Sequence, residues 1–113
     1  MTAFWVLIID DIQVGNGRTG KFFSFEEAGI EPDMVCLSKS IGGGNPMAVL
    51  LMKPEADVWS PGEHTGTFRG NSLAFVAATE LIKQYWADDS LTAEVARKSS
   101  IMMEALNGLR DEF

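Results

Sequence analysis

Phe4-Trp5-Val6-Leu7-Ile8-Ile9-Asp10-Asp11 is the stretch from which the fold is read. An unbroken run of apolar, β-favouring residues stops abruptly at two carboxylates. A strand with one wet face alternates apolar and polar side chains. A continuous run instead fits a strand covered on both faces, as in a parallel sheet.

Working outward, Gly15, Gly17 and Gly20 mark a loop, and a short helical turn over 24–28 is closed by Gly29 and followed by Pro32. Met34-Val35-Cys36-Leu37 reads as a second buried strand, and Met47 to Met52 as a third, with Gly42-Gly43-Gly44 between them. A parallel crossover needs roughly a dozen residues. The connection over 11–33 is long enough and that over 38–46 is not, so strands one and two are expected parallel and strand three antiparallel beside them. Beyond a loop punctuated by Pro54, Pro61, Gly62, Gly66 and Gly70, Asn71 can cap a helix over 72–86. Phe75, Val76, Leu81, Ile82 and Tyr85 leave that helix little polar face, which predicts burial. Ser90 can cap a final helix with Leu91, Val95, Met102, Leu106, Leu109 and Phe113 on one stripe. Alternating strands and helices make an α/β fold.

The chain has 113 residues, 9 basic and 16 acidic, for a net charge of −7. That length suits one domain. The acidic excess argues against a nucleic-acid or anionic-lipid partner. A membrane span needs about 20 apolar residues, far longer than the run ending at Ile9, and no signal-peptide pattern opens the chain. A single cysteine, Cys36, builds no internal disulfide, which fits a reducing, cytoplasmic setting. An apolar strand this close to Met1 resembles the inside of a larger protein.

Two familiar patterns overlap at Gly15-Asn16-Gly17-Arg18-Thr19-Gly20-Lys21. A P-loop needs Ser or Thr next, to hold magnesium, and Phe22 stands there. A dinucleotide fingerprint needs an acid about 20 residues further on, and Asp33 comes too soon. A flexible glycine turn is the better reading. His64, the one histidine, cannot assemble a three-ligand metal site with the distant Cys36, so no metal is expected. Cys36 and the Met102-Met103 pair read as core residues.

What remains is an acid at the end of strand one, Asp10, and an amine just past strand two, Lys39. Ligands of parallel sheets bind beyond the carboxyl ends of strands, so both point to one crevice. An amine and a carboxylate there suit pyridoxal 5'-phosphate, whose aldehyde takes a lysine and whose ring nitrogen takes an acid. The same two charges also read as a loop cap and a surface lysine.

Leu7-Ile8-Ile9-Asp10-Asp11-Ile12-Gln13-Val14-Gly15-Asn16-Gly17-Arg18-Thr19-Gly20 resembles the signature of the class III aminotransferases of pyridoxal-phosphate fold type I. Leu37-Ser38-Lys39-Ser40-Ile41-Gly42-Gly43-Gly44 is similar to their lysine segment, and Gly62 to Asn71 to their phosphate-contact loop. The resemblance implies that Asp10 holds the pyridine nitrogen, that Gln13 lies near the ring hydroxyl, and that Lys39 joins the cofactor as a Schiff base and shuttles the substrate proton. It implies that Thr67 reaches the cofactor phosphate of a neighbouring subunit, so the chain is expected to form a homo-oligomer, a dimer or higher. It implies a mostly parallel sheet with one antiparallel strand after the lysine. Asp11, where most members have Glu, and Phe68-Arg69-Gly70-Asn71 are similar to the diaminobutyrate-forming branch. That branch moves the amino group of L-glutamate to L-aspartate 4-semialdehyde in the ectoine pathway, and siderophore-linked relatives share its features. Ornithine- or GABA-type specificity is the alternative within the family. Arg69 is open to two readings, a contact to a substrate carboxylate or a structural ion pair.

A family member also carries a phosphate cradle and ring-stacking aromatic before the first strand, and a small domain after the last helix. Residues 1–113 are therefore expected to be a partial large domain, and inactivity of the isolated piece is a second reading.

Overall fold

The computed structural model describes residues 5–66 and 69–112, apart from the Asp111 side chain. Three strands form one mixed sheet in the order β1-β2-β3: β1 is Ile8–Asp10, β2 is Met34–Ser38 and β3 is Ala48–Met52. β1 runs parallel to β2 with Asp10 opposite Cys36, and β3 runs antiparallel to β2 with Ser38 opposite Ala48. These are the directions that the connection lengths predict. The long connection contains a short 3₁₀ turn at Glu26–Ala28, capped by Gly29. Among its other residues, Phe22, Phe23 and Phe25 pack on the buried Val35, Leu37 and Ile41.

A 3₁₀ turn at Lys39–Gly42 follows β2 directly and ends at Gly43, whose φ of 58° lies in the left-handed region. A Cβ at Gly43 would stand 3.2 Å from the Cβ of Ala77, so the glycine serves both the reversal and the close approach of the next helix. That helix, α1, spans Ser72–Tyr85, and its buried residues are Ala74 and Ala78. Asn71 caps it as expected, its Oδ1 accepting from the amides of Leu73 and Ala74 at 3.1 and 3.3 Å.

The final helix, α2, spans Ser90–Glu112. Its cap lies earlier than Ser90: Asp88 Oδ1 accepts from the Ser90 amide at 2.9 Å, and the Asp89 carbonyl accepts from Ala93. Leu91 and Val95 of its first two turns lie against Gly17 and Gly20, and Thr92 Oγ1 donates to the Gly20 carbonyl at 2.7 Å. The glycine loop is thus an anchored shelf rather than a flexible turn.

Burial differs from expectation. Ile8 of β1 is 55% exposed and Val76 of α1 is 65% exposed, although both segments carry the apolar signature of covered elements. Cys36 is half-buried. The radius of gyration, 17.9 Å, exceeds the ~13 Å of a compact chain of this length. The apolar faces are real, but these residues alone do not cover them.

Candidate functional site

Asp10 and Lys39 come from the carboxyl ends of adjacent parallel strands, the last residue of β1 and the first after β2. Both are exposed. Asp10 uses Oδ1 to accept from the Ile12 amide at 3.1 Å. Lys39 Nζ donates to Oε1 of Gln13, so two of the residues singled out from sequence meet, and Asp10 stands at the end of the neighbouring strand. The backbone of Lys39 has φ 51°, a left-handed value unusual for a residue with a side chain. That twist starts the 3₁₀ turn directly at the lysine. Ser38 Oγ, one residue earlier, donates to the Met47 carbonyl at 2.6 Å and ties the end of β2 to the start of β3.

The second carboxylate of the pair behaves in the opposite way. Asp11 has no exposed surface. Its Oδ2 accepts from the Ser24 amide at 3.1 Å and its Oδ1 from the Ser24 hydroxyl. Successive side chains along a strand point to opposite faces. One acid can thus face the crevice edge while its neighbour turns inward. From sequence Asp11 reads as one of two strand-end carboxylates and as a mark of subfamily; its partner Ser24, 13 residues on, gives it its structural place.

Thr67 and Phe68 lie outside the described residues. The flanking residues Gly66, Arg69, Gly70 and Asn71 line an open cleft of about 690 Å³ with Pro46, Met47, Ala48 and Phe75, and Lys39 is not part of its lining. His64 packs its ring on Trp59, centroids 4.8 Å apart, and no metal-binding cluster occurs among the described residues. The hydrogen bonds of the loop argue against the P-loop pattern: the amides of Gly15, Asn16, Gly17 and Gly20 all donate to carbonyls of the loop itself or its base. Those four amides are not available to an anion.

The donor set fits the aldehyde and pyridine ends of pyridoxal phosphate. An amine held by a neutral amide oxygen keeps no carboxylate on itself, and an exposed carboxylate stands at the neighbouring strand end. Nothing among the described residues is organised for the phosphate end.

Residues 4–113 match the family model for class-III aminotransferases. The chain belongs to the class-III aminotransferases. A diaminobutyrate–2-oxoglutarate transaminase of Wolinella succinogenes is 61% identical over 108 residues, which is 96% of this chain and 25% of that protein. One of Virgibacillus pantothenticus is 58% identical over 109 residues, covering 96% and 26%. This class-III aminotransferase chain therefore spans about a quarter of the length of the relatives it matches. The N-acetylornithine aminotransferase of Stenotrophomonas maltophilia K279a superposes with a TM-score of 0.77 at 33% identity, over 96% of this chain and 27% of that one. The ornithine aminotransferase of Toxoplasma gondii gives 0.73 at 29%, covering 96% and 25%, and is described with partial occupancy of pyridoxal phosphate in its active site. The fold is thus that of part of a fold type I large domain. No helix among the described residues is long and apolar enough to cross a membrane.

Proposed function

We propose that residues 1–113 are part of the cofactor-binding large domain of a transaminase that moves the amino group of L-glutamate to L-aspartate 4-semialdehyde, giving L-2,4-diaminobutyrate and 2-oxoglutarate. Asp10, Gln13 and Lys39 hold its pyridoxal phosphate, with Thr67 serving the phosphate of a neighbouring subunit in a homo-oligomer. The observation that carries this reading is the meeting of Lys39 Nζ with Gln13 Oε1 beside the strand end that bears Asp10. The substrate assignment is supported by relatives 56–64% identical that share one name, against 29–38% for the ornithine-type structures.

When bound, the cofactor supplies an electrophilic carbon for amines and a ring that accepts the electron pair released at a substrate α-carbon. Each protein group then has a defined task. The Asp10 carboxylate favours a proton on the facing ring nitrogen by opposite-charge stabilisation. Lys39 Nζ gives the covalent attachment point and, when free, takes and returns the substrate α-proton. Gln13 Oε1 fixes the direction of that amine with a neutral acceptor, which restrains it without the charge pairing that would suppress its nucleophilicity.

The test is incubation with pyridoxal phosphate, borohydride reduction and peptide mapping. Label confined to Lys39 and lost in Lys39→Ala is expected. Label scattered over Lys21, Lys53, Lys83 and Lys98 would sink the site. On the whole protein, glutamate half-reactions with aspartate semialdehyde and other semialdehydes as acceptors decide the substrate.

A second reading is favoured by the exposure of Asp10, Gln13 and Lys39. Water competes at an open site and weakens each electrostatic contact, so the isolated chain holds cofactor without turning over.

A further inference from the structure

We infer that Asp11 is a positioning residue for the Lys39 amine, acting through Gln13. This inference rests on the proposed role of Lys39 for its meaning, but its geometry is independent of any cofactor. Asp11 is the largest fully buried side chain among the described residues, and it is a carboxylate. Burying a carboxylate is costly unless its oxygens are bonded, and both are, to the amide and the hydroxyl of Ser24.

Its backbone is equally committed. The Asp11 amide donates to the Cys36 carbonyl of β2 at 3.0 Å, and the Asp11 carbonyl accepts from the Gly15 amide at 3.0 Å. The second bond closes a one-turn loop over Ile12, Gln13 and Val14. Asp11 therefore grips β2, the turn that carries Gln13, and the distant Ser24 at once. A Cβ at Gly15 would lie 2.7 Å from both Asp11 O and Oδ2, so the closing residue must be glycine for the carboxylate to fit. Gln13 sits inside the segment fixed at both ends, and its Oε1 receives the Lys39 amine. Loosening Asp11 lets Gln13 move, and Lys39 then loses its restraint.

The experiment is reductive methylation of the chain without cofactor, at fixed pH, with the rate at Lys39 read by peptide mass and Lys83 and Lys98 as internal references. Gln13→Ala should raise the Lys39 rate about three- to tenfold, the equivalent of one lost hydrogen bond. Asp11→Ala should do the same, and the double variant should be no faster than Gln13→Ala alone, since both remove one interaction. Asp11→Asn should restore the slow rate, because an amide still accepts from the Ser24 amide and donates to its hydroxyl. If Asp11→Ala does not fold, Ser24→Ala, which removes one donor, takes its place in the same cycle. Additive effects, an unchanged Lys39 rate, or equal acceleration at Lys83 and Lys98 would overturn the inference. Failure of cofactor trapping at Lys39 would instead overturn the proposed function and leave this cycle untouched.

Discussion

The amine of Lys39 donates to the amide oxygen of Gln13, 26 residues earlier in the chain. Adjacent parallel strands bring the two together: β1 delivers the segment after Asp10, and β2 ends where Lys39 begins. The pairing uses a neutral acceptor, which decides how the site responds to substitution.

Gln13→Ala frees the amine and costs orientation, so trapped pyridoxal phosphate should fall by about tenfold at limiting cofactor, the size of one charge-assisted hydrogen bond. Gln13→Glu should slow trapping further near pH 7. A carboxylate there favours the ammonium form, which is not nucleophilic. The growth of cofactor absorbance with time reads both variants, and faster trapping in Gln13→Glu would contradict the assigned role.

Asn71 closes the start of α1 with two amide contacts. Asn71→Ala should lower stability by about 1 kcal/mol, and Asn71→Asp should keep most of it. Urea unfolding of the two variants side by side gives the comparison. Equal midpoints for Ala and Asp would mean that the cap contributes nothing.

Gly17 has φ 90°, and a Cβ there would stand 3.1 Å from Trp86 Cζ2 and 3.2 Å from Leu91 Cδ2. Gly17→Ala therefore forces both a strained backbone and a push on the start of α2, for a loss of about 1–3 kcal/mol. Hydrogen exchange should show the effect first in residues 90–96, where α2 rests on the loop. Protection unchanged there would remove the shelf from the account.

The Leu7 amide donates to Asp33 and Lys53 pairs with it, and these contacts hold the Asp33 carboxyl below the usual carboxylate range. A depressed carboxyl stabilises the fold above its unfolded value, near pH 4, and that contribution is lost as pH falls through the lower folded value. Lys53 is raised by the same pair, chiefly through the hydrogen bond to Asp33, so its contribution is present below about pH 10.5 and is lost above its folded value. Asp33→Asn should make stability less dependent on pH at both extremes. Thermal scans from pH 2 to 5 and above pH 10 check both arms. An unchanged acid slope in the variant would show that other groups control it.

A further acid-side contribution lies on α2. Glu94, bridged to Arg97 and then to Lys98, has its carboxyl lowered to about 2. That contribution is lost as pH falls from about 4.5 towards 2, and Glu94→Gln should make helix content less dependent on pH over that range, as followed by circular dichroism.

Much of this protein was legible in one dimension. Strand directions followed from connection lengths, because a parallel return cannot be made in the residues between Leu37 and Met47. The cap at Asn71 followed from the local chemistry of a side chain beside its own backbone. Asp10 and Lys39 could be named as candidates, and pyridoxal phosphate with them, because strand ends of a parallel sheet share a crevice; Gln13 came only from the resemblance drawn from residue order. The tertiary structure decided what depends on partners distant in sequence. Which of the two adjacent acids turns inward was settled by Ser24 and Cys36, whose donor and acceptor groups reach Asp11 only when the sheet has formed. The glycine loop became a shelf because α2 returns to it. The burial predicted for β1 and α1 failed because an apolar face states that a cover is needed, and only the assembled structure states which atoms provide it.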